Sequence, residues 1–261
     1  MKVSNDMTSV TRFSCTIISL LQLRLVGAVF LLMALVGCGQ LPHVAQTGQG
    51  QDHPRHFSVQ DLAQWEHVLL PGKQRTAFRL ERHDQQMGLQ AHAQSSASML
   101  RHKLRLAPEA LGTLRFQWQV QSLIEEADMA LRDQEDAPVR IILAFEGDRS
   151  RFSPRNAMLS ELSRAVTGEE MPYATLMYVW CNHRPVGTVI VNPRTDRIRK
   201  LVVESGPQRL RHWLSYERDI RADFEKAFGE PPGTLVGLAI MTDTDNTRSS
   251  TRAWYGPIAL Q

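Results

Sequence analysis

Residues 114–120 read Leu-Arg-Phe-Gln-Trp-Gln-Val, so that Leu114, Phe116, Trp118 and Val120 alternate with Arg115, Gln117 and Gln119. A period of two puts one apolar and one polar face on a strand, because successive side chains of an extended chain point to opposite sides. Val139, Ile141, Leu143 and Phe145 repeat the pattern in VRIILAF (139–145). Working outward, TAFRL (76–80), MGLQAHA (87–93), SMLRHKLRL (98–106), ATLMYVW (174–180), GTVIV (187–191), IRKLVVES (198–205), LVGLAIMTD (235–243) and RAWYGPIAL (252–260) are further strand candidates, separated by Pro, Gly, Asn and Asp. The apolar runs in ATLMYVW and LVGLAIM predict central strands with both faces covered. The pattern predicts a mainly β chain folded as a two-sheet antiparallel β-sandwich with two short helices.

The first helix is expected around residues 156–167, with Met158, Leu159, Leu162, Ala165 and Val166 on one face, Asn156 at the N-cap and Gly168 just past the end. The second is expected where Tyr216, Ile220, Phe224 and Phe228 recur every four residues, between Ser215 and Gly229. The pairs Glu217/Arg221 and Arg221/Glu225 would support it, and such a helix would close one end of the sandwich.

At the N-terminus, Leu25–Val36 (LVGAVFLLMALV) is an unbroken apolar run preceded by Arg24. That length suits the hydrophobic region of a secretory signal and is too short to span a bilayer. Reading it as a transmembrane helix from Cys15 would bury Arg24 near the bilayer centre, at roughly 2.5–3.5 kcal/mol. Leu35-Val36-Gly37-Cys38 resembles the bacterial lipobox. The resemblance implies that residues 1–37 are removed as a signal peptide, that Cys38 is acylated, and that the chain is lipid-anchored in the cell envelope. Gly39 after the cysteine points to the periplasmic face of the outer membrane. Residues 38–57, rich in Gln, Gly, His and Pro, then read as a tether and 58–261 as a single domain. Cys181 would be the one unmodified cysteine left, expected to be buried, with no disulfide available to it.

Function classes are narrowed mainly by exclusion. With 30 Lys+Arg against 27 Asp+Glu there is no basic excess of the kind nucleic-acid binding needs, and no nucleic-acid partner is expected. No nucleophile elbow, zinc-protease helix, Cys-x-x-Cys or phosphate loop occurs in the chain. Asp243, Asp245, Asn246 and Thr247 crowd oxygen-bearing side chains at a strand end, which begins like a calcium loop. Arg248 stands where that loop needs glycine and no bidentate glutamate follows, so no metal or cofactor is assigned. The competing readings of this cluster are a turn that pairs with an arginine such as Arg218, or contact with a polar ligand. Trp180 and Trp254 are candidate stacking platforms for a sugar ring, against core packing as the alternative. The acidic stretch Glu125–Asp136, or Asp219 with Asp243, would supply the carboxylate pair of a glycan-cleaving hydrolase if the fold brought two of them together.

Several segments together resemble the DUF3047 family of bacterial proteins: LRFQWQV (114–120), EADMALRDQEDAPVRIILAFEGD (126–148), LMYVW (176–180), LVVESG (201–206), HWLSYERDIRADFEKAFGE (212–230) and GLAIMTDTDNTRSSTRAWYGPIAL (237–260). That resemblance implies a domain assignment and no activity. More distantly, the arrangement is similar to galactose-binding-type jelly rolls and carbohydrate-binding modules, which implies a saccharide-like ligand. The resulting expectation is a lipid-anchored, non-catalytic binding or envelope-structural module. Its site would comprise Asp243, Asp245, Asn246, Trp180 and Trp254, and its partner would be a glycan or an envelope protein. A carboxylate-pair hydrolase and a protein-interaction scaffold are the alternatives.

Overall fold

The computed structural model describes residues 55–261; the apolar run at 25–36, Cys38 and most of the tether lie outside them. Two sheets face each other. The first contains β1 (Arg55–Phe57), β3 (Ala77–His83), β4 (Gln86–Gln94), β6 (Thr113–Val120), β11 (Leu214–Asp219) and β13 (Ser250–Leu260), in the order β11-β6-β13-β4-β3 with β1 also on β13. The second contains β2 (Glu66–Leu69), β5 (Ala97–Leu106), β7 (Ala137–Phe145), β8 (Ala174–Cys181), β9 (Val189–Val191), β10 (Ile198–Ser205) and β12 (Leu235–Asp243), in the order β2-β5-β12-β7-β8-β10-β9. Every strand expected from alternation is present. Pairing between these strands is antiparallel except between β8 and β10, which run parallel. Residues 55–57, expected to lie in a tether, form β1 and pair with 258–260.

Alternation decides what is buried. Leu114, Phe116, Trp118 and Val120 of the six-stranded sheet meet Val139, Ile141, Leu143 and Phe145 of the seven-stranded sheet in one core. Phe116 is 5.0 Å from Trp118 and 5.7 Å from Tyr178, ring centre to ring centre. Tyr255 crosses between the sheets, its hydroxyl donating to the Met241 carbonyl at 2.5 Å and accepting from the Arg140 N–H at 3.3 Å. The second face of the seven-stranded sheet is partly covered as well. Met129 and the loop around it close over Ala137, Val179, Cys181, Ile190 and Val202, and Cys181 is free and buried there.

The helices differ in detail from expectation. Helix α1 (Pro154–Thr167) starts one turn earlier, with Ser153 as the N-cap accepting from the Asn156 N–H at 3.3 Å and Pro154 at the first position. Gly168 takes the left-handed conformation that ends it (φ 78°). Its expected apolar face is not packed: α1 buries Asn156 and Ser160 and leaves Met158, Leu162 and Val166 exposed. Tyr216 belongs to β11, not to a helix, because Leu214–Asp219 pairs with β6 and Glu217 bonds Arg115 across that pair at 2.9 Å. Helix α2 (Ile220–Phe228) follows, capped by Asp219 and not Ser215, and packs Ile220, Phe224 and Ala227 into the end of the core. Among the described residues no helix is long and apolar enough to cross a membrane.

Candidate functional site

The seven-stranded sheet carries, on its outer face, a groove of about 1100 Å³. Its floor follows from strand alternation. The residues of β5, β7, β8 and β12 that point away from the core include Met99, Ile142, Met177, Ala239 and Met241. Small residues among them, such as Ala97, Ala144 and Gly237, keep that floor low. Helix α1 forms one wall through Leu159, Ser163, Val166 and Thr167, which recur at helical spacing. On the β2–β5 side Arg101 donates to Glu169 at 2.5 Å and to Glu66 at 2.8 Å, and Lys103 also donates to Glu169, at 3.0 Å. Hydrogen bonds from Arg101 and Lys103 hold the Glu169 carboxyl down at about 2.

The Asp243 end is a charge network. Arg140, buried on β7, donates from Nε to Asp243 Oδ1 at 2.9 Å and from Nη2 to Oδ2 at 2.8 Å. Burial raises the Asp243 carboxyl to about 6 against the pull of this guanidinium. Beside it, Glu135 accepts from Arg194 at 2.5 Å, from Asn192 at 2.5 Å and from the buried ammonium of Lys200 at 2.7 Å. Burial, and then the Arg140 charge, lower Lys200 to about 8. Asp245 pairs with Lys73. Asp136 accepts from the backbone N–H of Asn246 and Thr247 at 3.2 and 2.7 Å, and from the Thr247 hydroxyl at 2.6 Å. Carboxylate oxygens of Asp136, Asp243 and Asp245 lie within 4.8 Å of one another, but Arg140, Lys73 and two backbone N–H groups are their partners. The set therefore fastens the 243–249 turn to the 132–136 loop.

The expected site residues are split. Asp243, Asp245 and Asn246 do share the end of the groove. Asp243 pairs with Arg140 and not with Arg218, whose partner is Asp223 of α2. Trp180 is fully buried and donates to the Gly206 carbonyl at 3.0 Å, so it presents no ring to a ligand. Its position in β8 is one of those that face the core. Trp254 is on the other sheet, stacked beneath His83, away from the aspartates. Asp219 and Asp243 are not brought together: one caps α2 at the end of β11, the other ends β12 in the opposite sheet. Within the acidic stretch, Asp128 is held by Arg184 and Glu135 by Arg194 and Lys200. Arg140 and the methionines of the floor are absent from the expected set. Their signals were an arginine inside the apolar run VRIILAF and a methionine on the face of ATLMYVW that does not turn to the core.

The chain belongs to the DUF3047 family, proteins of unknown function, whose model matches residues 63–259. No curated protein matches it. Among solved structures it is similar to the family 11 carbohydrate-binding module of the Clostridium thermocellum cellulosomal cellulase Lic26A-Cel5E, at 8% identity and TM-score 0.40, covering 80% of this chain and 94% of that one. It is also similar to the xyloglucanase domain of NopAA from Sinorhizobium fredii, at 8% identity and TM-score 0.40, covering 76% and 92%. A third is the Trichoderma harzianum endoglucanase 3 of family GH12, at 8% identity and TM-score 0.39, covering 82% and 99%.

Proposed function

We propose that this protein is a non-catalytic binding module, displayed in the bacterial envelope on an acylated Cys38, that takes a polar, saccharide-like chain in the groove of the seven-stranded sheet. The observation that carries the reading is the groove itself: an aliphatic floor of Met99, Ile142, Met177 and Met241 between the mixed wall of α1 and the charged Arg101–Glu169 and Arg140–Asp243 sides. A sugar ring has C–H faces that pack on such a floor, and hydroxyls at its edge that would meet the half-buried Arg194 and Asn246 on the rim. The carboxylates support binding over cleavage, since Asp243, Glu135 and Asp245 are each committed to a cation. A hydrolase needs one carboxylate free to give a proton and another to receive one.

The test is calorimetric titration of the full chain, in a detergent without a sugar headgroup, with neutral and acidic oligosaccharides. We expect a ligand whose affinity falls at least tenfold in the double variant Asn246→Ala/Arg194→Ala and in Val166→Trp, which narrows the groove. Binding that both variants leave unchanged would reject the groove, and turnover of any glycan would replace the binding reading with the hydrolase.

A further inference from the structure

On the opposite sheet a second, separate recess of about 610 Å³ lies over β3, β4, β6 and β13. We infer that it is a second ligand site, for a single neutral sugar unit, and that its existence does not depend on the groove.

Its base is assembled before any ligand arrives. The His83 ring lies parallel on the Trp254 indole, at 3.7 Å between centres and 5° between planes. Trp254 is itself fixed by donating its indole N–H to Glu81 at 2.6 Å, and the same carboxylate oxygen accepts from Gln90 at 2.7 Å. The imidazole thus has one face on a rigid backing while its side chain stays 30% exposed at the recess. A flat ring held in this way is a surface on which the C–H face of a pyranose stacks.

The second observation is an orphaned acceptor. Gln119 lines the recess, is 1% exposed, and donates from Nε2 to Asp84 at 2.8 Å. Its carbonyl oxygen has no partner. Buried amide oxygens are nearly always bonded, so this one marks a place at the recess where a partner is missing. Donors surround it. Arg211 and Arg252 enter the recess from the 206–213 connection and from β13. Arg211 is a non-glycine residue held at φ 64°, with its N–H donating to the Val120 carbonyl at 2.8 Å. Strain of that kind collects at binding sites.

Charge selects the ligand class. Arg211 and Arg252 are balanced by Glu81 and Asp84, so neither a polyanion nor a cation is favoured. An uncharged molecule carrying many hydroxyls uses guanidinium, carboxylate and amide groups together, and the ring platform supplies the stacking face.

The experiment titrates the full chain, in the same detergent, with glucose, galactose, xylose and N-acetylglucosamine, and with glucuronate and adenosine monophosphate as charged and aromatic controls. Ligand-observed NMR and tryptophan emission are the readouts. We expect one neutral sugar to bind and change the emission. His83→Ala and Arg252→Ala should each weaken it at least tenfold with the circular dichroism spectrum intact, and Val166→Trp in the groove should leave it unchanged. The inference is overturned if no neutral sugar binds at about 20 mM, roughly ten times the weakest dissociation constant expected of a ligand of that size, if a control binds in preference, or if His83→Ala binds as well as the parent. Loss in Val166→Trp alone would assign the sugar to the groove and reject this second site.

Discussion

Arg140 occupies a strand position flanked by Val139 and Ile141, both fully buried, and is itself buried. Its bidentate bond to Asp243 makes the charge tolerable there, and the Glu135 carbonyl takes a further N–H at 2.8 Å. Removing one member of such a pair leaves the other charged and dry. Asp243→Ala should therefore cost about 3–5 kcal/mol in denaturant unfolding, while the double replacement Arg140→Met/Asp243→Leu should regain most of it. A single variant as stable as the parent would mean the pair is solvated in solution. Asp243 was legible as a residue of consequence because it closes a run of oxygen-bearing side chains. Its partner was not, because alternation tells which way a side chain points and says nothing about which strand lies beside it. The same limit explains the tryptophans. Trp180 and Trp254 read alike in sequence, yet one faces the core and the other faces out under a histidine.

At the scale of elements, the strands were legible and the helices half so. A period of two is read within one strand, whereas the burial of a helix face requires a surface to cover it. Tyr216, Ile220, Phe224 and Phe228 have perfect helical spacing, but Leu214, Tyr216 and Arg218 also alternate with Ser215, Glu217 and Asp219, and pairing to β6 settled the competition. In α1 the polar side is the one held. Asn156 donates to Asp196 at 2.6 Å and accepts from Thr195 at 2.7 Å. Asn156→Ala should cost about 1–3 kcal/mol by stranding those partners. Leu162→Glu on the exposed stripe should stay within about 0.5 kcal/mol of the parent. Thermal unfolding of both variants checks the pair, and the reverse ranking would mean that the apolar stripe is buried in solution.

For the whole molecule, each sheet of the sandwich offers its outer face to a different chemistry: methionine and alanine on one side, glutamine, arginine and a stacked imidazole on the other. A module tethered by a lipid would present both to the surroundings. Cys38→Ser should abolish metabolic labelling with a fatty acid and move the chain from the membrane to the soluble fraction; retention in the membrane would restore the spanning helix from Cys15. The order of the strands carries one more consequence. β12 lies between β5 and β7, and β13 between β4 and β6, so an interior place in each sheet is filled by a strand that follows both of its neighbours in the chain. Until residues 235–260 join them, β2-β5 is separated from β7-β8-β10-β9 and β11-β6 from β4-β3, so neither sheet is continuous and the core stays open. Closure of the sandwich thereby waits on β12 and β13, whose pairings are the ones that make each sheet continuous.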